Sequence, residues 1–239
     1  MKKIDTKTLK KWHLATGMLF LLTVTLSSCV KDKNPITTQS SVNLAVLAVS
    51  PDAPSLNLSI NGTQINAGGL TYATGLNYFL TSSGKSSIVF YATGTSTKLA
   101  ADTVNFTANR TYTLLLANSI TKPDFIFLAD TIVTPTSGMA SMRFVNASAN
   151  SPAVALTIKG TTTLIGANTN YKSYTSFESV KPATDTLEVL QAGTTNVLAS
   201  LPTIALQSGG VYTVWYYGVP GATDATKPAI GIMTNALFY

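Results

Sequence analysis

The feature that most constrains the fold of this chain is an internal repeat. Residues 50–63 read SPDAPSLNLSINGT and residues 148–161 read SANSPAVALTIKGT, so a proline, a glycine and the alternating apolar positions coincide. The match continues with Tyr112–Leu114 against Tyr212–Val214, where loops have lengthened the shift from 98 to 100 residues. Strands that persist while loops change length indicate two copies of one domain. Each copy, at about 100 residues, has the usual size of a domain with its own core.

The composition of each copy favours β-strands. Runs of β-branched, aromatic and other apolar residues lie between Gly, Pro and Asn; examples are Val42–Val49, Ile88–Ala92, Tyr112–Leu116 and Phe125–Leu128. No stretch after residue 30 combines a 3.6-residue apolar period with helix caps. About seven short strands per copy predict an all-β chain of two tandem Ig-like β-sandwich domains, although a barrel would give the same spacing.

The N-terminal segment has the pattern of a secretory signal peptide. Five lysines flank the start of a thirteen-residue apolar run, Leu14–Leu26, which is shorter than the ~20 residues that a membrane-spanning helix needs. The run ends in Leu26-Ser27-Ser28-Cys29, which resembles the lipobox of bacterial lipoproteins. The resemblance implies that residues 1–28 are removed and that Cys29 carries diacylglycerol and a fatty acid such as palmitate.

The predicted plan of the remaining chain follows from these two features. Residues 29–41 form a flexible tether, residues 42–136 the first sandwich and residues 137–239 the second, with a Pro/Ser-rich boundary. Several acyl chains on one residue give a stable membrane anchor. Because Val30 is not an aspartate, the chain resembles lipoproteins of the Gram-negative outer membrane, with the periplasmic and the cell-surface side both open.

Three segments together resemble a known family. They are AVSPDAP at residues 48–54, NGT at 61–63 and RTYTL at 110–114, and they resemble the bacterial exported domain of unknown function catalogued as number 4397. Two copies would cover nearly all of the chain after Cys29, although the second has SANSP where the first has SPDAP. The resemblance implies extracytoplasmic β-sandwich modules, and it implies no activity.

The residue types left after cleavage exclude most catalytic chemistry. The only histidine, His13, lies in the signal peptide, and the only cysteine, Cys29, is assigned to lipid. Histidine triads, cysteine nucleophiles and the usual zinc sites are therefore excluded, and we expect no cofactor, metal or catalytic residue. The alternative is a carboxylate-dependent hydrolase of envelope or extracellular glycans, for which Glu178, Asp185 and Glu188 form the densest acidic group.

Asp52, in the proline-flanked SPDAP loop, has two interpretations. Its carboxylate suits a hard cation such as calcium. Its counterpart in the second copy is Asn150, which shares the ability to close a turn but brings no charge. The repeat therefore favours a turn residue.

Aromatic residues of one strand are candidates for a binding surface. Trp215, Tyr216 and Tyr217 are consecutive, so their side chains must point to alternate faces. One set would then face outward as an exposed strip for glycan or protein recognition, unless both sets pack between sheets or between domains.

The distribution of charged residues and one short motif bear on the expected partners and modifications. Of 16 basic and 10 acidic residues, five lysines and one aspartate precede Cys29, and the eleven remaining basic residues are scattered, so nucleic acid is not an expected partner. Asp-Thr-Val/Ile/Leu triplets resemble acceptors of bacterial O-glycosylation at Thr103, Thr131 and Thr186. We expect a non-catalytic envelope lipoprotein that serves in binding, adhesion or structure, with a glycan or an envelope protein as its partner.

Overall fold

The computed structural model describes residues 40–239, and all the regular elements in that range are β-strands. The strands of the first half are β1 Ser41–Ala48, β2 Leu56–Ile60, β3 Thr63–Gln64, β4 Thr74–Ser82, β5 Gly84–Ala92, β6 Lys98–Phe106, β7 Thr111–Ala117 and β8 Asp124–Ala129. Those of the second half are β9 Ala140–Asn146, β10 Val154–Ile158, β11 Leu164–Thr169, β12 Glu178–Val180, β13 Thr184–Gln191, β14 Val197–Ala205, β15 Gly210–Tyr217 and β16 Ala229–Leu237.

Some sequence predictions fall outside this range. The signal peptide, the lipid on Cys29 and nearly all of the tether lie in residues 1–39, outside the described residues. Within residues 40–239, no helix has the length and apolarity needed to cross a membrane.

The two halves have the same strand order. Sheet A is β4-β1-β7-β8 and sheet B is β3-β2-β5-β6, while sheet C is β12-β9-β15-β16 and sheet D is β11-β10-β13-β14. The pairs β1–β7 and β9–β15 are parallel, and the other pairs are antiparallel. Replacing each strand of the first half by the strand eight places later therefore generates the second half.

Each half encloses its own apolar core. The core between sheets A and B includes Leu44, Leu58, Phe90 and Leu114. The core between sheets C and D includes Met142, Phe144, Leu156, Val189 and Val214. The predicted all-β fold with two sandwiches is thus confirmed, and the barrel alternative is wrong because four separate sheets form.

A third apolar cluster lies between the two sandwiches. Sheet A contributes residues such as Leu47 and Leu115 and sheet C contributes Val145 and Trp215, all of them buried. Sheets A and C therefore pack face to face, and the layers follow the order B, A, C, D. Strands covered on both faces have nearly continuous apolar sequences, which explains LAVLA in β1 and LLLA in β7.

A tyrosine near the start of one strand in each sandwich fixes the preceding turn. The backbone N–H of Thr107 donates to the hydroxyl of Tyr112 at 3.1 Å, and that of Gln207 donates to Tyr212 at 2.9 Å. A tyrosine that accepts a bond from the backbone a few residues upstream is typical of Ig-like sandwiches. Its presence at equivalent places agrees with the repeated fold.

Candidate functional site

A buried polar cluster lies in the interface between sheets A and C. Its members are Tyr78, Thr113, Asp130, Arg143, Thr213 and Asn235. Arg143 forms an ion pair with Asp130 through Nη2, and neither side chain is more than 2% exposed. The Nε of Arg143 donates to Thr213 Oγ1 at 2.9 Å. The pair joins β9 of the second sandwich to the residue that follows β8 of the first.

Neutral side chains satisfy the rest of the Asp130 carboxylate. Its Oδ2 accepts bonds from Thr113 Oγ1 at 2.7 Å and from the Tyr78 hydroxyl at 2.6 Å. Asn235 Nδ2 donates to that same tyrosine hydroxyl at 2.6 Å. Burial, and then the Asp130 charge, raises the pKa of Tyr78 well above its ordinary value, so Tyr78 stays protonated and donates. The cluster thus holds two opposite charges in a nearly complete hydrogen-bond network.

The cluster reveals a pseudo-two-fold relation between the sandwiches. Thr113 donates to Asp130 in the first sandwich, and Thr213 donates to Asn235 at 2.7 Å in the second. The strand pairings β7–β8 and β15–β16 place these two Thr–Asx pairs at equivalent positions. The sandwiches therefore meet through equivalent faces, as the subunits of an isologous dimer do.

On one side of this interface lies a cleft of about 500 Å³. We name it the Arg143 cleft; it is lined by Ala129, Thr131, Val133, Arg143, Tyr174, Thr175, Ser176 and Phe177. Tyr174 is 47% exposed, and the guanidinium of Arg143 lies 4.8 Å from the centre of the Phe177 ring. Aromatic walls with a few polar groups and a volume of about 300–1,000 Å³ are typical of ligand sites.

On the opposite side lies a second cleft, of about 260 Å³. We name it the Trp215 cleft; it is lined by Leu47, residues 73–77, Trp215, Tyr217 and residues 231–233. Next to it, the rings of Tyr72 and Tyr217 meet edge to face with centroids 5.6 Å apart. Both clefts thus carry tyrosines beside the interface.

Asp52 does more than close a turn in its own loop. Its Oδ1 accepts a bond from the Ile120 N–H at 2.7 Å, and its Oδ2 accepts one from Ser119 Oγ at 2.5 Å. Burial raises the pKa of Asp52, but these bonds outweigh it, so the pKa lies below the usual value. The carboxylate therefore fixes the β7–β8 loop to the SPDAP loop, a role that local sequence does not indicate.

Asp124 also links the two sandwiches. It forms an ion pair with Lys172 and accepts bonds from Tyr171 at 2.8 Å and from Asn118 at 3.0 Å. Burial raises the pKa of Asp124, but the bonds from Lys172, Tyr171 and Asn118 outweigh it and leave the pKa below its usual value. The loop after β11 is thereby fixed to the start of β8.

The predicted exposed aromatic strip is wrong for two of its three residues. Tyr216 is 1% exposed and lies in the core of the second sandwich, whereas Trp215 is 6% exposed and lies between the sandwiches. Tyr217 is partly buried in the same cluster as Trp215. Both faces of β15 are covered because sheet C packs on sheet D and on sheet A, so the interpretation with both sets packed is the correct one.

The acidic residues proposed for hydrolysis lie on two different sheets. Glu178 lies on β12 in sheet C, whereas Asp185 and Glu188 lie on β13 in sheet D. Glu188 forms an ion pair with Lys159 at 3.5 Å. The residues that line the two clefts include no carboxylate.

The three candidate glycosylation threonines differ in exposure. Thr103 and Thr131 are exposed, and Thr186 is partly buried within β13. The aspartate before Thr131 is Asp130, whose carboxylate is engaged by Arg143. Thr131 itself lines the Arg143 cleft.

The cleft residues Arg143, Tyr174 and Phe177 were missed by sequence reasoning. Two signals could have indicated them. Arg143 is the one charged residue in the apolar stretch ASMRFVNA, and aromatic residues recur at every third position in YKSYTSF, residues 171–177, without strand alternation. An unexplained charge in a buried strand and aromatics in an irregular segment are both informative departures from pattern.

One family model matches part of the chain. Residues 42–157 match the model of the family described as Domain of unknown function (DUF4397), so the predicted resemblance is confirmed for that range. The range covers the first sandwich and extends into β10 of the second. No curated protein matches the chain.

Three solved structures show weak similarity. A family 26 carbohydrate-binding module of Eubacterium rectale Amy13K, in complex with maltoheptaose, is 11% identical over 81% of this chain and 97% of that chain, with a TM-score of 0.27. A streptococcal virulence factor that binds α-glucan is 10% identical over 72% and 91%, with a TM-score of 0.24. A putative polysaccharide-binding protein of Bacteroides thetaiotaomicron is 10% identical over 81% and 96%, with a TM-score of 0.22. Similarity this weak transfers no ligand to this chain.

Proposed function

We propose that this chain is a non-catalytic, lipid-anchored binding protein of the bacterial cell envelope whose ligand is a neutral glycan held in the Arg143 cleft. The observation that carries the proposal is the lining of that cleft. It combines an exposed tyrosine ring, hydroxyl groups and a guanidinium, and it includes no carboxylate. Such a surface can hold a polyhydroxylated ligand, but it offers no acid and base for hydrolysis.

The charge balance of the cleft favours a neutral ligand. Asp130 already matches the positive charge of Arg143. The Nη1 of Arg143 has only a long contact, 3.4 Å, with the Ala129 carbonyl, so it can donate to a further oxygen. A sugar hydroxyl accepts that bond without a net charge, whereas an anion would compete with Asp130 for the guanidinium. Thr131 and Ser176 supply further hydroxyls along the same cleft.

Tyr174 supplies the apolar part of the site. Its ring is exposed, and its backbone is fixed by a bridge to Val145 in β9. The apolar face of a sugar ring can pack on a tyrosine held in this way. The hydrolase alternative lacks a comparable observation, because its three carboxylates lie on two different sheets.

A titration with neutral oligosaccharides tests the ligand class. Cellohexaose, maltoheptaose and laminarihexaose are added to the detergent-solubilised protein, and binding is measured by calorimetry. Since an aromatic contact is worth about 0.5–1.5 kcal/mol, Tyr174→Ala should weaken binding up to about tenfold. Tyr239→Ala, which removes an exposed ring at the other end of the chain, should bind as the wild type does. Equal affinity for both variants, or release of shorter sugars, would contradict the proposal.

The anchor is tested separately. Cys29→Ser should move the protein from the membrane fraction to the soluble fraction and abolish incorporation of labelled palmitate, because Cys29 is the only cysteine. Ser40→Ala, just before β1, is the matched control and should retain both properties. Palmitate retained in the Cys29→Ser protein would contradict the lipoprotein assignment. Recovery of the wild type in inner-membrane vesicles would contradict the outer-membrane location.

We also propose that residues 137–239 are a second copy of the DUF4397 domain. The sequence repeat and the identical strand order of the two halves support this assignment.

A further inference from the structure

The two clefts occupy equivalent places in the pseudo-two-fold arrangement. Gly75, in the lining of the Trp215 cleft, pairs with Leu47 in β1. Tyr174, in the lining of the Arg143 cleft, pairs with Val145 in β9. Leu47 and Val145 are the same position of the repeat, so Gly75 and Tyr174 correspond. Each cleft is thus formed where the edge of one inner sheet faces the opposite edge of the other.

The aromatic residues of the two clefts come from different strands. The position of Tyr174 in one cleft is taken by Gly75 in the other, where an added Cβ would lie 2.6 Å from Leu47 Cδ2 and from the Val46 carbonyl oxygen, so no side chain fits at that position. The aromatic side chains of the Trp215 cleft are instead Trp215 and Tyr217 at the end of β15, with Tyr72 packed against Tyr217. Both clefts therefore have an aromatic wall, although residues at non-equivalent positions supply it.

Two buried polar atoms at the Trp215 cleft have no hydrogen-bond partner within residues 40–239. They are the Nε1 of Trp215 and the hydroxyl of Tyr72. Only 6% of the Trp215 surface is exposed. Its Nε1 lies over Gly231, which also lines the cleft. Burial raises the pKa of Tyr72 to about 12, so its hydroxyl remains protonated. Buried polar groups are nearly always paired, so two such exceptions beside one cleft call for a partner outside the described residues.

The chemistry of that partner follows from the lining. Trp215 Nε1 can only donate, and a tyrosine hydroxyl can donate and accept. The lining includes Asn77 and Thr74 but no charged residue. Hydroxyl oxygens on a neutral, partly apolar molecule satisfy these groups, whereas an anionic ligand would find no counter-charge in the lining and would meet the negative charge of Asp224 near Tyr72.

We infer that the Trp215 cleft is a second glycan-binding site, quasi-equivalent to the Arg143 cleft, so that one chain binds two neutral oligosaccharide segments on opposite sides of the interface. The inference rests on the proposed function of the Arg143 cleft. Two sites on one chain increase the avidity for a polymer that can reach both of them, without any new contact.

The tryptophan of the second cleft provides a selective probe. The chain has two tryptophans, and the other, Trp12, lies in the segment predicted to be removed as signal peptide. Emission of the processed protein therefore reports on the Trp215 cleft alone. Calorimetry on the same protein counts the oligosaccharides bound per chain.

The experiment titrates the detergent-solubilised wild type, Tyr174→Ala, Tyr217→Ala and Trp215→Phe with cellohexaose, maltoheptaose and laminarihexaose. We expect two sugars per wild-type chain, and in each of Tyr174→Ala and Tyr217→Ala one of the two should bind up to about tenfold more weakly. The sugar should change Trp215 emission at the same sugar concentrations in the wild type and in Tyr174→Ala, but only at higher concentrations in Tyr217→Ala. Trp215→Phe keeps a ring and removes Nε1–H, so it should lose most of the affinity of the second site. Circular dichroism confirms that each variant is folded.

The outcomes separate the two claims. One sugar per wild-type chain, bound more weakly in Tyr174→Ala and without effect on Trp215 emission, would overturn the second site and leave the proposed function intact. One sugar that depends on Tyr217 and changes the emission would place binding in the Trp215 cleft and overturn the role of the Arg143 cleft. Two sugars with unchanged affinity in Trp215→Phe would overturn the hydrogen bond assigned to Nε1. No binding of any of the three oligosaccharides would overturn both claims.

Discussion

Asp130 and Arg143 are the two charged side chains that are buried within residues 40–239, and each depends on the other. Removing two charges from water costs several kcal/mol per ion, which their attraction and further hydrogen bonds must offset. Here Thr113, Tyr78 and Thr213 supply those bonds. The pair is therefore tolerated because its network is nearly complete, and it fixes how the two inner sheets align.

Comparison of a single with a double substitution tests this dependence. Arg143→Met should destabilise the protein by about 3–5 kcal/mol, because it leaves a buried, unpaired carboxylate, and Arg143→Met with Asp130→Leu should recover most of that loss. Lys159→Met breaks the pair of Lys159 with Glu188, in which the lysine side chain is 66% exposed, and should cost at most about 1 kcal/mol. Urea unfolding measures all three. A double mutant as unstable as the single mutant would mean that packing, and not the unpaired charge, dominates.

The pairing of Asp130 with Arg143 could not be predicted from the sequence. The sequence shows Asp130 in an Asp-Thr-Ile triplet, which suggests a glycosylation acceptor, and it shows Arg143 in a buried strand. Their pairing needs the linker after β8 to bring the start of the second sandwich back onto the first. That return is set by how sheets A and C pack, which local pattern does not encode.

At the scale of elements, the strands themselves were predictable. Four runs chosen by composition fall almost entirely within β1, β5, β7 and β8. Whether each strand is covered on one face or on both faces was harder to predict. Alternation in β15 shows that Trp215 and Tyr216 point to opposite faces, but it does not show that both faces are covered. The continuous apolar sequences of β1 and β7 indicate that sheet A is covered on both faces, because a strand with one exposed face has alternating apolar and polar residues.

The paired tyrosine turns give a prediction for equivalent elements. Tyr112→Phe and Tyr212→Phe each remove the hydroxyl that accepts a backbone N–H, from Thr107 and Gln207 respectively. Each should lower the free energy of unfolding by about 0.5–1.5 kcal/mol, the usual net worth of one hydrogen bond. Tyr239→Phe, at the exposed C-terminal residue, is the control. Stability unchanged in both variants would mean that solvent replaces the tyrosine without loss.

At the scale of the whole molecule, the described part of the chain combines two cores with a third. Residues 40–239 belong to one compact unit. The sequence repeat predicted two copies with a core each, and it left the third cluster unanticipated. The equivalent faces of sheets A and C carry Leu47 and Val145, and also Thr113 and Thr213. Only the packing of the two sheets shows that these faces form an interface.

Cutting the chain near Ser137 tests how far each copy is independent. Residues 139–239 retain the core between sheets C and D, so we expect a folded fragment with a cooperative melt. The cut also exposes Trp215 and Val145 and leaves Arg143 without Asp130, so the melting temperature should fall below that of residues 40–239. Trp215 emission should shift to the red in the isolated fragment and return to the blue when residues 40–137 are added, because the buried apolar faces and the ion pair favour reassociation. An unfolded fragment would mean that the copies depend on one shared core, and a fragment as stable as the whole, with unshifted emission, would mean that the interface contributes nothing to stability.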